Sequence, residues 1–398
     1  MRQALLQQAL VAIQENPRIC LQWATGMGKS KAAIELVKKI ETINKFKPKV
    51  LLVVAETAHK LNWKVEFDKW GYKSIDTITT ICYASLKKYS NTKWDLIIFD
   101  EAHHLSSNIR LDILKTIQSK YYILLSATLS DKKKSAIESI IGSIQTIKCS
   151  LNTAIEKEIL PEPIINLISL KLRNDVFSET IVETYKRFKE PEIRTIECMY
   201  KDRFRYNNLP CNAKLIIHCT PKQKYDYYCE QIEYWKSRYY RDNLEWQKFK
   251  WLQYANKRKT FLGESKTGAV LSLLTTLQNK RLICFCTNIK QANIVDPNNC
   301  IHSKKNNSLE IINKFNNKEI NRIIAINMLQ EGQNLTDIEI GIIVQLDGQE
   351  RSFIQKVGRV LRAKNPVQYI FYYKDTRDEE YLNMVLEDID KKYVKYIN

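Results

Sequence analysis

Ile19-Cys20-Leu21-Gln22-Trp23-Ala24-Thr25-Gly26-Met27-Gly28-Lys29-Ser30-Lys31-Ala32-Ala33-Ile34-Glu35-Leu36-Val37 is the stretch that decides the fold. Its first five residues read as a short buried strand, and Lys31 to Ile40 has the apolar spacing of a helix. Between them, Thr25-Gly26-Met27-Gly28-Lys29-Ser30 is a glycine-rich turn of the kind whose backbone N–H groups converge on phosphate oxygens. Lys29 is placed to reach terminal phosphates and Ser30 to offer its hydroxyl to Mg²⁺, while the following helix adds its partial positive charge to the same spot. Strand, turn and helix in this order belong to a parallel α/β sheet. One position departs from the general pattern: five residues before Gly28, where a small residue is usual, stands Trp23.

A second apolar run, Trp94-Asp95-Leu96-Ile97-Ile98-Phe99, reads as a parallel strand buried on both faces, and it delivers Asp100-Glu101-Ala102-His103 at its C-terminal end. Open α/β sheets bind ligands at that end. Asp100 is therefore the candidate Mg²⁺ ligand, and Glu101 the candidate carboxylate that orients or polarises an attacking water.

With these two signatures in order, the chain resembles the superfamily 2 helicases and translocases, and the resemblance runs along nearly its whole length. Arg2-Gln3 sits where these proteins place an adenine-reading glutamine. Leu51 to Thr57 followed by Leu61 to Phe67 resembles the second motif of the Snf2-like branch, and Ser126-Ala127-Thr128 matches the motif that links ATP hydrolysis to strand contact. Arg281 to Thr287 is similar to the first strand motif of the second motor domain, and Glu331-Gly332-Gln333-Asn334-Leu335 to a motif near its nucleotide edge. Gln355-Lys356-Val357-Gly358-Arg359-Val360-Leu361-Arg362 resembles the last motif, whose ending is closer to phage branch-migration helicases and restriction-enzyme motor subunits than to chromatin remodellers.

The resemblance implies two tandem RecA-like domains, each a parallel sheet with flanking helices, with ATP–Mg²⁺ in the cleft between them. Gln3 would read adenine; Thr25, Gly26, Met27, Gly28, Lys29, Ser30 and Gly332 would line the nucleotide. Ser30 and Asp100 would serve the metal, and Lys29, Asp100, Glu101, Gln355, Arg359 and Arg362 would carry the chemistry. The two arginines would cross the cleft from the second domain, where a guanidinium neutralises charge developing on the transferred phosphoryl group. Ser126, Ala127 and Thr128 would couple hydrolysis to grip.

Composition agrees with a polyanionic partner. Lys and Arg total 63 against 44 Asp and Glu, a formal net charge of +19 over 398 residues. The ten cysteines include no C-x-x-C pair, and Cys284 and Cys286 are expected on opposite faces of a strand, a pattern that fits neither a zinc ribbon nor a disulfide framework. Cys211, Cys219 and Cys229, with His218 nearby, have no standard metal spacing and are read as core. The N-terminus lacks a charged and apolar leader, and no run approaches a membrane span. The expected compartment is the cytoplasm of a bacterial or virus-infected cell.

Residues 1–150 alternate strand-like and helix-like segments and form the expected ATP-binding domain. Residues 259–398 repeat the alternation as the second motor domain, with strands around Leu282–Cys286, Arg322–Asn327, Ile340–Gln345 and Gln368–Tyr373. The expected linker and helical insertion, 151–258, opens near Leu160-Pro161-Glu162-Pro163. Residues 201–260 hold fourteen Lys/Arg, six Asp/Glu and thirteen aromatic residues. Their aromatics recur at helical spacing, which favours packing for most of them. Lys236, Arg238, Arg241, Lys248, Lys250, Lys257, Arg258 and Lys259 are the nucleic-acid candidates.

The expected activity is an ATP-dependent translocase or helicase that moves along and remodels duplex or branched DNA with low sequence specificity, with a possible protein partner in replication, recombination or repair. An RNA helicase, a motor subunit for a nuclease, and an ATP-gated clamp that holds nucleic acid without travelling are the alternatives.

Overall fold

The computed structural model describes residues 2–185, 193–206, 212–302, 304–326, 335–347, 357, 363–387 and 389–397. The first sheet contains β1 (Arg18–Trp23), β2 (Val50–Val54), β3 (Ile78–Cys82), β4 (Lys93–Asp100), β5 (Gln118–Ser126) and β6 (Gln145–Cys149). Its order is β3-β2-β4-β5-β1-β6, and every pairing is parallel. The residues explain the arrangement. All five side chains of β2, Val-Leu-Leu-Val-Val, are buried, as a strand covered on both faces requires. Val50, Leu52 and Val54 enter one core with Ile19 and Leu21, whereas Leu51 and Val53 enter the other with Ile97 and Phe99. This is the period-two alternation of a strand feeding two layers.

Helices α1 (Arg2–Glu15), α2 (Lys29–Asn44) and α3 (Thr57–Lys69) cover the first face with Ala9, Ile13, Ala33, Leu36, Trp63 and Phe67. Helices α4 (Asn108–Leu114) and α5 (Asp131–Ile141) cover the second through Leu114, Ile137 and Ile141. A short α6 (Leu151–Glu156), capped by Ser150, ends this half.

The second sheet is also parallel throughout. It takes in β7 (Ile164–Leu170) early in the chain, then β11 (Leu282–Cys286), β12 (Cys300–Ile301), β13 (Arg322–Ile326), β14 (Ile340–Ile343), β15 (Val367–Tyr373) and β16 (Val394–Ile397), in the order β12-β13-β11-β14-β15-β7-β16. Helices α9 (Thr267–Thr276), α10 (Ile289–Val295), α11 (Ser308–Asn316) and α12 (Arg377–Leu386) flank it. Cys284 and Cys286, expected on opposite faces of β11, share one face. Alternate residues of a strand point the same way, both thiols enter one core cluster, and their interaction together with burial raises the Cys284 thiol well above its usual range.

Between β7 and α9 lies the insertion. Besides the expected helices α7 (Pro221–Asp242) and α8 (Glu245–Ser265), it holds a three-stranded sheet that the sequence reading did not include: β8 (Glu179–Tyr185), β9 (Arg194–Met199) and β10 (Ala213–Cys219). The order is β8-β10-β9, with β10 antiparallel to β8 and parallel to β9. Thr220 and Gln223 form a reciprocal capping box that starts α7, and Pro221 stands in its first turn. The helices pack on the small sheet through Tyr227, Tyr228, Tyr254 and Phe261, and the core they form also takes in Cys219, with Cys229 packed against it. Burial pushes the Cys219 thiol up to about 11, the behaviour of a core thiol.

Candidate functional site

The turn after β1 has the backbone of a phosphate cradle. Gly26 and Gly28 both adopt φ 89, a left-handed conformation that glycine reaches without steric cost. A Cβ built on Gly28 would meet no atom within 4 Å, so the backbone angle constrains this position and the space above it is open. Helix α2 begins directly at Lys29, and its N-cap Gly28 supplies no side-chain cap. The N-terminal dipole therefore faces the turn. Met27 anchors the loop in the core, as does Trp23, the large residue at the usually small position. Lys29 Nζ donates to the Trp23 carbonyl at 3.0 Å, Ser30 follows half-buried in the first turn of α2, and Thr25 Oγ1 is buried with no hydrogen-bond partner among the described residues. An open cradle, an ammonium held by one carbonyl and an unpartnered hydroxyl fit a nucleotide's phosphates.

Sheet register brings the second signature to the same edge. Gln22 of β1 pairs with Ser126 of β5, and Leu125 of β5 with Asp100 of β4. The phosphate turn, Ser126 and Asp100 thus follow three adjacent strands at their C-terminal ends, where ligands of such sheets sit. Asp100 Oδ2 accepts a hydrogen bond from the Trp63 indole Nε1 at 2.8 Å, and His59 Nδ1 stands 3.9 Å from the same oxygen. The Asp100 backbone carbonyl accepts from the Tyr83 hydroxyl at 3.0 Å. Burial first, then the charge of Glu101, raises the Asp100 carboxyl above its ordinary value, against the opposing pull of Trp63, His59 and Lys29.

Glu101 adopts φ 52 and ψ 56, a region that non-glycine residues occupy at some cost and that recurs at working sites. Its Oε2 lies 3.3 Å from His103 Nδ1. Ser126 is fully buried, and its hydroxyl donates to the Thr128 carbonyl at 2.9 Å, closing a tight turn with Ala127. Gln3 is exposed on the first turn of α1, beside Arg2, whose guanidinium donates to the Ile159 carbonyl at 3.0 Å. Gly332, Gln355, Arg359 and Arg362 lie outside the described residues.

Sequence reasoning did not single out His59 and Trp63 as site residues. The four-residue spacing from His59 through Trp63 to Phe67 puts them on one face of α3, a signal that reads equally well as ordinary core. A second missed group closes the C-terminal ends of β14 and β15. Lys266, wholly buried, pairs with Asp378 Oδ2 at 2.6 Å and donates to the Val344 carbonyl, Gln345 Oε1 and the Phe371 carbonyl at 2.9, 2.9 and 3.2 Å.

On the insertion, the basic candidates mostly have acidic neighbours. Lys236 pairs with Glu233 at 3.7 Å, Arg238 and Arg241 with Asp242 at 3.6 and 2.8 Å, Lys248 with Glu245 at 3.3 Å and Lys257 with Glu183 at 3.9 Å. Arg258 donates to Cys229 Sγ at 3.3 Å, Lys250 is exposed and Lys259 half-buried. Water screens such solvent-facing pairs, which are individually weak, so these cations can exchange a carboxylate for a phosphate at small cost. The aromatics divide: Tyr227, Tyr228 and Tyr254 are core, whereas Tyr240, Trp246 and Phe249, near the α7–α8 turn, are 69 %, 53 % and 67 % exposed. At that turn Asp242 accepts from Arg241 and from Gln247, and these bonds draw its carboxyl down to about 2.

The family described as "Helicase conserved C-terminal domain" matches residues 265–364, and the family described as "Type III restriction enzyme, res subunit" matches residues 72–131. The "DNA 3'-5' translocase XPB2" of Sulfurisphaera tokodaii is 23% identical over 372 residues, covering 90% of this chain and 78% of that protein. Among solved structures, S. cerevisiae Dbp5 bound to RNA and ADP BeF3 superposes with a TM-score of 0.59 at 13% identity, over 99% of this chain and 89% of that one. Its fold, two tandem RecA-like domains, is the fold seen here.

Proposed function

We propose that this chain, a superfamily 2 helicase or translocase, hydrolyses ATP to move along DNA and remodel it. The observation that carries the reading is the convergence of the phosphate turn, Ser126 and the Asp100–Glu101 pair at one edge of the first sheet. A relative that is a DNA translocase over nearly the whole length of the chain makes DNA the preferred track, and the net charge of +19 suits a phosphate backbone.

Bound ATP–Mg²⁺ supplies the phosphoanhydride whose cleavage drives the cycle. Gly26, Gly28 and the first turn of α2 direct N–H groups at its phosphates, and the Lys29 ammonium leaves the Trp23 carbonyl to neutralise the terminal charge. The Ser30 hydroxyl and Asp100 would hold the metal, Glu101 would orient or polarise the attacking water, and Asp100–His103 would stand as a DEAH-type box. Gln3 reads the adenine, and Gly332 lines the nucleotide edge. Gln355, Arg359 and Arg362 complete the site from the second domain, so turnover depends on closure of the two domains. Ser126, Ala127 and Thr128 pass the change to the nucleic-acid grip, which is made to the backbone and carries little sequence preference. Lys236, Arg238, Arg241, Lys248, Lys250, Lys257, Arg258 and Lys259 supply part of that grip, and the exposed Tyr240, Trp246 and Phe249 give unpaired bases a surface on which to stack.

ATP turnover measured with duplex DNA, forked DNA, single-stranded DNA and RNA tests the reading. Stimulation by DNA that fades steeply with salt is expected. Stronger stimulation by RNA than by every DNA form would transfer the assignment to RNA, and turnover indifferent to all four would remove the motor reading.

A further inference from the structure

We infer that Trp63 is a positioning residue for the metal-facing carboxylate: its indole N–H fixes one oxygen of Asp100 and thereby presents the other to Mg²⁺. This inference rests on the ATP–Mg²⁺ site proposed above and adds to it a residue outside the turn and the box.

The geometry is specific. Trp63 lies on α3, which follows β2, whereas Asp100 ends β4, so the contact joins two elements that neighbour each other only in the folded sheet. The indole nitrogen reaches Oδ2 at 2.8 Å, and His59, one turn earlier on α3, faces the same oxygen from 3.9 Å. Both partners on α3 therefore address Oδ2. The Tyr83 hydroxyl fixes the Asp100 carbonyl at 3.0 Å, so the residue is tethered at its backbone as well as at its carboxylate.

The indole itself cannot swing freely. Trp63 is 3 % exposed and its ring packs on Phe67 at a centroid distance of 5.5 Å, with Tyr72 beyond at 5.6 Å. A rigid donor on a carboxylate restricts it to one rotation about its terminal bond. Partners of this kind behind a metal ligand set its orientation, and their removal commonly lowers metal affinity by about 10- to 100-fold.

Two variants separate this role from ordinary packing. Trp63→Phe keeps an aromatic ring against Phe67 while deleting the donor and some ring volume; Phe67→Leu disturbs the same stripe, with a comparable loss of packing, without touching Asp100. The test is direct binding of Mn²⁺ in the presence of ATP, read by electron paramagnetic resonance, beside a Mg²⁺ titration of turnover. Trp63→Phe is expected to weaken Mn²⁺ binding roughly tenfold and to raise the half-saturating Mg²⁺ by a similar factor, with the rate at saturating Mg²⁺ within about twofold of the parent. Phe67→Leu is expected to lower the melting temperature and leave the metal dependence in place. If Trp63→Phe binds Mn²⁺ like the parent, or if Phe67→Leu weakens it equally, the positioning role is wrong. Asp100→Asn tests the underlying site separately: unchanged Mn²⁺ binding there overturns the assignment of Asp100 as a ligand, whereas loss there together with an unaffected Trp63→Phe overturns only the present inference.

Discussion

Lys29 and Asp100 at the edge of the first sheet, and Lys266 and Asp378 at the edge of the second, are the same two functional groups in opposite states. In the second sheet they meet at 2.6 Å, both essentially free of solvent. Three further acceptors, the Val344 and Phe371 carbonyls and the Gln345 amide oxygen, saturate the ammonium. Gln345 Nε2 in turn donates to the other Asp378 oxygen at 2.6 Å. Burial still draws Lys266 below its ordinary value, with Asp378 opposing it. In the first sheet, among the described residues, the lysine rests on a single carbonyl and the aspartate on an indole, and burial with Glu101 drives that aspartate up. One edge has been closed with its own charges. The other keeps cation and anion apart, each with capacity left for a ligand.

If that contrast is right, removing the lysine should have opposite consequences at the two edges. Lys266→Met leaves a buried carboxylate without its cation and is expected to cost about 3–5 kcal/mol of stability, read as a shift in the denaturant midpoint. The double variant Lys266→Met with Asp378→Leu should recover most of that loss, since apolar replacements of buried pairs are often neutral. A mild effect of the single variant would break the comparison, because it would mean the second edge is not sealed by this pair.

Lys29→Ala should do the reverse. Its unfolding midpoint should stay within about 0.5 kcal/mol of the parent, as for a substitution that removes no core contact, while ATP turnover falls by roughly 10²–10³-fold. A folded variant that hydrolyses ATP at the parental rate would refute the site. Glu101→Gln sharpens the same edge by a comparable factor in rate with ATP binding retained, and failure to bind ATP would show that Glu101 does more than handle water.

The smallest expected effect concerns Asp100→Asn. Because the folded protein holds the Asp100 proton more tightly than the unfolded chain, the parent loses stability relative to this variant as pH climbs from the ordinary carboxylate value of 3.8 through the raised one. Asn can still accept from Trp63. The variant should therefore be more stable than the parent well above that window and equal to it below, read as a denaturant midpoint measured across pH. A variant less stable at neutral pH would mean that Asp100 holds the fold together.

The first edge was legible in the sequence because its turn, box and flanking strands are contiguous segments whose glycines, lysine and carboxylates have fixed spacing. Lys266 and Asp378 were not, since they sit far apart in the chain and a lone lysine after a helix reads as solvated surface. The small sheet of the insertion escaped for a related reason: β8 buries only Ile181 and otherwise alternates exposed with half-buried positions, and β9 buries none, so neither carries the apolar run that marked β2 and β4. Most of the hairpin's aromatics were expected to pack, and Tyr225, Tyr227, Tyr228 and Tyr254 are core, whereas Tyr240, Trp246 and Phe249 near the α7–α8 turn are exposed; a period cannot tell which end of a helix projects.

The position of β7 sets the order in which the chain can be finished. Val367 of β15 pairs with Ile164 on one side of it, and Val394 of β16 with Ile165 on the other. The first sheet closes using residues up to Cys149, so it can form while the chain is still being synthesised. β7 emerges next but waits for partners some two hundred residues downstream, and contacts of that sequence separation form slowly. During that interval the apolar side chains of β7 are shielded by neither final neighbour, which makes this strand the place where a nascent or truncated chain is most exposed to aggregation.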